Sequence, residues 1–287
     1  MKVLVLGASS FVAKSVFKYF NNSQKFEFIG MQRKLLTENT STTNKGSSLW
    51  ALGNAIPENI LESCDWIFHC AHDFNSAEIN LVGGHKLIQQ LKKFPEKKVI
   101  FISSYSAFAD ADSDYGKIKY QLENLFLENG HYILRPGLIV GEGGMFFKLF
   151  KSILKYPIVP IIGQGLSPIS YLAINDLCLA LEFIMSNKPL KKDFNLFSKN
   201  FINQIEMARA IKISQNKSFF YLKVPLIIIE LVVSLAEGLK IKLPISKENI
   251  KGLKKNTQIL RVSNLEDMGI KNNSNFSNLL STLKVQS

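Results

Sequence analysis

Tyr115 and Lys119 stand four residues apart in the stretch Asp114-Tyr115-Gly116-Lys117-Ile118-Lys119-Tyr120. On a helix, that spacing brings a phenol and an ammonium onto one face. A neighbouring ammonium stabilises a phenolate and draws its pKa from about 10 toward neutrality. A phenol tuned in this way can exchange a proton with a carbinol or a carbonyl. Just upstream, the serine cluster Ser103-Ser104-Tyr105-Ser106 closes an apolar run. Small hydroxyl residues end many strands for reasons of turn chemistry alone. The meaning of the pair therefore depends on the elements that position it.

The chain begins Lys2-Val3-Leu4-Val5-Leu6, followed by Gly7-Ala8-Ser9-Ser10-Phe11-Val12-Ala13. An apolar strand, a small-residue turn and then a helix offer backbone N–H groups to a pyrophosphate at the helix N-terminus. The residues placed to do so are Gly7, Ser9, Ser10, Phe11 and Val12. Positions 7, 10 and 13 follow the Gly-x-x-Gly-x-x-Gly spacing, although only Gly7 is glycine. Ser10 and Ala13 are small enough for close approach but less permissive. The competing reading is a surface turn after a buried strand.

Further strands are predicted at 26–31, 65–69, 98–102 and 132–134, with helices near 11–20, 77–94 and 114–128. Such alternation predicts an α/β protein with a parallel sheet covered on both faces. The polar, turn-rich segment 36–48 is expected to be a mobile surface loop. After about residue 142 the alternation lapses into helices and short strands, punctuated by Pro157, Pro160, Gly163 and Gly165.

Composition narrows the function classes. An apolar content of 46% over 287 residues is ample for a buried core. No run of 18 uncharged apolar residues predicts a spanning helix, and the N-terminus lacks the layout of a signal peptide. Cys64, Cys70 and Cys178 are an odd number without metal-ligand spacing, which suits a reducing cytoplasm. The four histidines form no ligand set either, so no metal is expected. The net charge of +12 is spread along the chain. It favours anionic partners such as phosphorylated ligands or acidic lipid. With no binding motif, it does not point to nucleic acid.

The separated motifs agree in order, and together the chain resembles the extended branch of the short-chain dehydrogenase/reductase superfamily, the nucleotide-sugar epimerases, reductases and dehydratases. Gly7-Ala8-Ser9-Ser10-Phe11-Val12 resembles its phosphate loop, and Phe68-His69-Cys70-Ala71 the strand end beside the adenosine. Asn80-Leu81-Val82-Gly83-Gly84 is similar to its Asn-x-x-Gly helix, and Ser104, Tyr115 and Lys119 to its Ser-Tyr-Lys triad. Leu134-Arg135-Pro136-Gly137 resembles the strand end at the nicotinamide, and Ile174-Asn175-Asp176-Leu177 the start of a late helix.

The resemblance implies a Rossmann-type doubly wound parallel sheet in residues 1–142, with late elements from 169–187, and a smaller substrate-binding region in 143–287. It implies that Ser104 bonds the substrate oxygen, Tyr115 moves the proton, and Lys119 holds the nicotinamide ribose while lowering the phenol's pKa. Ala71 and Pro136 would line the cofactor, and Ser106 and His72 the substrate. Ser103 and Ser106 remain alternatives to Ser104. The second strand ends Met31-Gln32-Arg33-Lys34, with no carboxylate for a ribose 2′-OH. Gln32 and Arg33 therefore suit the 2′-phosphate of NADP, with NAD as the alternative.

Family dehydratases place an Asp-Glu pair after the catalytic hydroxyl residue, whereas Tyr105 and Ser106 stand there in this chain. Only 10 residues separate Ser104 from Tyr115, fewer than in many epimerases of the branch. The expected reaction is keto-sugar reduction or alcohol oxidation on a nucleotide-linked or lipid-linked sugar, in bacterial surface-polysaccharide or glycolipid synthesis. Epimerisation is one alternative, and a non-catalytic NADP-binding sensor or structural subunit is another. A homodimer is compatible with all three.

Val224-Pro225-Leu226-Ile227-Ile228-Ile229-Glu230-Leu231-Val232-Val233-Ser234-Leu235-Ala236 is the most apolar stretch. It predicts a helix of about 13 residues, too short to span a bilayer. We expect it to be buried in the second region of a cytoplasmic protein. The alternative is peripheral contact with the inner membrane face through 224–240, where Lys223, Lys240 and Lys242 would meet acidic headgroups.

Overall fold

The computed structural model describes residues 1–33, 48–238, 261–271 and 275–283. The segment 36–48, apart from Ser48, lies outside the described residues, as do Lys34, Lys240 and Lys242. In chain order the elements begin with β1 (Lys2–Leu6), α1 (Phe11–Tyr19), β2 (Glu27–Gln32), β3 (Ser48–Leu49), α2 (Glu58–Ser63) and β4 (Trp66–His69). There follow α3 (Ala77–Leu91), β5 (Lys98–Ile102), α4 (Asp114–Glu128), β6 (Tyr132–Pro136), β7 (Leu138–Val140) and α5 (Gly144–Lys155). Next come β8 (Ile158–Ile162), β9 (Ile169–Ala173), α6 (Ile174–Asn187), β10 (Asp193–Leu196) and β11 (Phe201–Ile202). The chain continues with α7 (Gln204–Ile213), β12 (Phe220–Val224), α8 (Leu226–Gly238) and α9 (Phe276–Ser281).

Seven strands form one sheet in the order β10-β6-β5-β4-β1-β2-β3. The pairings of β1 with β2 and β4, of β2 with β3, of β4 with β5 and of β5 with β6 are parallel. Bonds from Ile133 N to Lys192 O and from Gly137 N to Leu196 O climb in step, so β10 runs the same way. The order reverses at β1, where the chain passes first to β2 and later to β4. This is the doubly wound pattern expected from the alternation, and its ligand position is the carboxyl end of β1 and β4. Burial explains the near-continuous apolar strands: Val3 to Leu6 are wholly enclosed, as a parallel sheet covered on both faces requires.

By compactness the chain divides into two units. One comprises Met1–Asp110, Asp114–Arg135 and Cys178–Phe194; the other comprises Ala111–Ser113, Pro136–Leu177 and Asn195–Ser287. The first unit is centred on Leu4, Ile67, Val99, Phe101, Phe126 and Ile133. There α3 lies hard against α4: a Cβ on Gly84 would come within 2.5 Å of Leu122 Cδ2.

The second unit has its own core, which includes Phe146, Phe150, Ile161, Tyr171, Ile211 and Phe276. A capping box starts its α7, where Asn203 Oδ1 accepts from Glu206 N (2.9 Å) and Glu206 Oε2 accepts from Asn203 N (3.1 Å). One expectation fails in this unit. The predicted apolar helix forms as α8, but it is buried only in part: Val233 is enclosed, whereas Ile227 is 79% and Leu231 59% exposed. The second core is filled mainly by α5, α7, α9 and the strands. Among the described residues, no helix is long and apolar enough to cross a membrane.

Candidate active site

The turn after β1 is shaped by two contacts. Gly7 N and Ala8 N both donate to Met31 O at 3.0 Å, which ties the turn to the end of β2. Gly7 has φ +88°, and a Cβ there would stand 2.7 Å from the backbone of Ala71, just past β4. No side chain fits in that space. Ser10 caps α1, its Oγ accepting from Ala13 N at 3.2 Å and donating to Cys70 Sγ at 3.4 Å. The N–H groups of Ser9, Phe11 and Val12 find no hydrogen-bond partner among the described residues. They are donors at the positive end of a helix dipole. Cys70 donates to Leu6 O, and burial pushes its thiol up to about 11, so it stays protonated and inert.

At the end of β2, Gln32 is buried, with no partner for its Oε1 among the described residues. The next side chain, Arg33, is mostly exposed and pairs with Asp73 at 3.2 Å. Asp73 lies in the loop after β4, which Asn80 of α3 clamps. Asn80 accepts from Asp73 N at 2.9 Å and donates to Asp73 O and Ser76 O at 2.8 and 2.6 Å.

Ser103 and Ser104 extend β5 at the same carboxyl end, and their side chains part. Ser103 donates to Glu123, whereas Ser104 hydrogen-bonds Tyr115 and accepts from Ser106 N at 3.1 Å. Tyr115 lies in the first turn of α4. The His72 ring meets it edge-on at 5.0 Å and the Phe74 ring stacks at 6.0 Å. One turn later, Lys119 is buried, donates to Ile102 O at 2.7 Å, and lies over the rings of Phe101 (4.5 Å) and Tyr115 (5.8 Å).

The electrostatics differ from expectation in one respect. Burial pushes the Tyr115 phenol above its ordinary value, and the opposing pull comes from the Ser104 hydrogen bond. Lys119 was expected to lower it, but its ammonium is directed to a carbonyl and to ring faces. Burial brings Lys119 itself down to about 8, against the pull of the Glu123 carboxylate. Burial, with Lys119 nearby, lowers His72 to about 3, so its imidazole is neutral and its Nδ1 has no partner among the described residues.

Comparison with known proteins rests on structure. No protein-family model matches the chain, and no curated protein matches its sequence. Among solved structures, a nucleoside-diphosphate-sugar epimerase from Staphylococcus aureus aligns with a TM-score of 0.75 at 12% identity, covering 98% of this chain and 100% of that one. UDP-glucose 4-epimerase from Thermus thermophilus, solved with NAD, gives 0.70 at 16%, covering 98% and 97%. UDP-glucuronic acid 4-epimerase from Bacillus cereus, also with NAD, gives 0.65 at 17%, covering 90% and 96%. The chain has the fold of the extended short-chain dehydrogenases/reductases.

In that fold the sequence-predicted residues of the first unit fall into two groups at one sheet edge. Gly7, Ser9, Ser10, Phe11, Val12, Gln32, Arg33 and Ala71 surround the ends of β1, β2 and β4. Ser104, Ser106, Tyr115, Lys119 and His72 surround the ends of β5 and β4. Pro136 closes β6 and belongs to the second unit.

Sequence reasoning missed a chain of polar groups behind the second set, running from the buried Ser103 and Glu123 out to the half-exposed Asp193. Glu123 accepts from Ser103 and from Arg135 Nε (2.8 Å), and Arg135 pairs with Asp193 at 2.8 Å. One signal was available: Glu123 falls four residues after Lys119, on the same helix face. The Arg33–Asp73 pair carried no signal, because the partners are 40 residues apart.

Proposed function

We propose that this protein is an NAD(P)-dependent oxidoreductase acting on a nucleotide-linked or lipid-linked sugar, by keto-sugar reduction or the reverse alcohol oxidation. The observation that carries the proposal is the Ser104–Tyr115 hydrogen bond at the end of β5, with Lys119 buried one turn behind.

The residues present fit a dinucleotide. Gly7 leaves a cradle that a Cβ would fill, the α1 N-terminus offers open donors to a diphosphate, and the orphaned Gln32 Oε1 awaits a donor. Bound there, a nicotinamide supplies the hydride. Tyr115 gives its proton to the carbonyl oxygen as that oxygen gains charge. Its raised pKa keeps the phenol protonated at neutral pH, which suits the reductive direction. Ser104 Oγ, fixed by Ser106 N, bonds the same oxygen. Lys119 would hold the ribose hydroxyls of that cofactor with its ammonium. His72, neutral, orients the ring and offers Nδ1 to a substrate hydroxyl. In this reading, residues 1–142 carry the cofactor and 143–287 supply the sugar-binding region.

For NADP over NAD the support is Arg33. Its pair with Asp73 is exposed, and such pairs are worth at most about 1 kcal/mol. A bidentate bond to a 2′-phosphate is stronger, so the guanidinium can change partners cheaply. Epimerisation at one carbon is the second reading, supported by the shared fold of the UDP-sugar 4-epimerases. Either reaction would serve surface-polysaccharide or glycolipid assembly.

The test is thermal shift with NADPH and NADH, followed by a panel of nucleotide-linked keto-sugars with NADPH consumption as the readout. Consumption supports reduction, and interconversion of sugars without net consumption supports epimerisation. Cofactor binding with neither activity on any member would leave a non-catalytic binding module.

A further inference from the structure

The second unit carries a surface that the catalytic proposal leaves unused. In the parallel β8–β12 ladder, Ile158 is paired with Phe220 and Pro160 with Leu222. The alternate positions Val159 and Ile161 turn into the core. The outward face would ordinarily be polar, yet Ile158 is 55%, Phe220 63% and Leu222 62% exposed. After Pro225 the chain enters α8, where Ile227, Ile228, Leu231 and Val232 are also exposed. Their spacing of three and four residues places them on one helix face. Single exposed apolar residues need no explanation, but two consecutive elements that both turn apolar faces outward mark an interaction surface.

Charge in this unit is one-sided. From 143 to 175 there is no Asp or Glu, while α5 carries Lys148, Lys151 and Lys155. From 207 to 229 there is again no acid, against Arg209, Lys212, Lys217 and Lys223. Three of these lysines converge at the entrance to β8. Lys212 donates to Tyr156 O (2.6 Å), Lys217 donates to Leu154 O (3.1 Å), and Lys155 lies over the Tyr156 ring at 5.3 Å. Lys223, paired with Ile161, stands near the far end and donates to Gln164 Oε1 at 3.0 Å.

We propose that this face docks on an anionic lipid surface. Phe220, Leu222, Ile227 and Leu231 would enter the boundary between headgroups and acyl chains, and the exposed Lys155 and Lys217 would meet headgroup phosphates. A second copy fits less well. Each copy would bring the same surplus of lysines, with Glu230 the acid that α8 places beside its exposed apolar residues. The inference is independent of the reaction assigned to the first unit.

Flotation of the full chain with vesicles tests it. Vesicles of equal parts phosphatidylglycerol and phosphatidylcholine should carry the protein upward at low salt. Pure phosphatidylcholine, or high salt, should reduce this severalfold. Lys155→Gln and Lys217→Gln should each weaken binding about fivefold. Ile227→Ser with Leu231→Ser should weaken it about tenfold or more, with an unchanged melting temperature showing that the variant is folded. Absence of the wild-type chain from anionic vesicles at low salt would overturn the proposal. So would binding indifferent to all four substitutions, or sedimentation showing a dimer that Ile227→Ser dissociates in a protein that does not float.

Discussion

Lys119 in the first unit and Lys212 in the second are both almost fully buried, and each donates to a backbone carbonyl, Ile102 O at 2.7 Å and Tyr156 O at 2.6 Å. Their company differs. Around Lys119, Glu123 pulls its pKa upward against burial, and Glu123 is itself held by Ser103 and Arg135. Beside Lys212 stands another lysine, Lys217, which lowers its pKa further after burial. The first unit buries charge in opposed sets, which fixes side chains in place and suits chemistry. The second holds like charges together beside an open apolar face, which suits contact with something anionic. Burial alone therefore does not say what a lysine is for; the sign of its neighbours does.

The sharpest way to break this contrast is Tyr115→Phe. The ring and its stacking survive, the proton donor is lost, and turnover should fall about a thousandfold with cofactor affinity nearly unchanged. Near-normal turnover would make the polar cluster of the first unit a structural one. Next in size is Glu123→Leu, which takes the buried acceptor from Ser103 and leaves Arg135 only Asp193, and should lower stability by about 3 kcal/mol in urea unfolding. Lys212→Met deprives only a carbonyl of its donor and should lower stability by no more than about 1 kcal/mol. Equal losses would erase the difference between the units.

The pH dependence follows from the sign of one shift. Folded Lys119 loses its proton near 8, whereas the unfolded side chain keeps it to about 10.5. Between those values the unfolded state binds more protons, so this group makes stability rise with pH. Turnover should move the other way, falling as pH passes through about 8 and the ammonium is discharged. A pH–rate profile flat from 7 to 9 would remove Lys119 from the reaction. The smallest effects are expected at the cofactor's far end. Arg33→Ala should weaken NADPH about tenfold and NADH little, whereas Asp73→Asn should tighten NADPH about threefold by freeing the guanidinium. Titration by fluorescence would compare both cofactors, and equal changes would sink the NADP preference.

Much of the first unit was legible because its signals are local. Lys2–Leu6 and Lys98–Ile102 match the strands read from apolar runs, and α4 begins at Asp114 as its pattern indicated. The Tyr115–Lys119 face follows from helix geometry alone. What was not legible depends on long-range packing. The direction of the Lys119 ammonium is set by the carbonyl of Ile102 and the ring of Phe101, on another element. The Arg33–Asp73 pair joins residues of different loops. The exposure of α8 could not be read from its composition, because a helix rich in Ile, Leu and Val looks the same whether the core has room for it or not.

The seam between α3 and α4 makes one pair of positions interdependent. With a Cβ at 84 only 2.5 Å from Leu122 Cδ2, alanine at 84 requires the Leu122 side chain to turn away or residue 122 to shrink. Gly84→Ala and Leu122→Ala should then be individually harmful and partly compensate when combined, a double-mutant interaction of opposite sign to simple addition. The helix that carries Tyr115 and Lys119 is thus held to its register by a residue with no side chain, on the neighbouring helix.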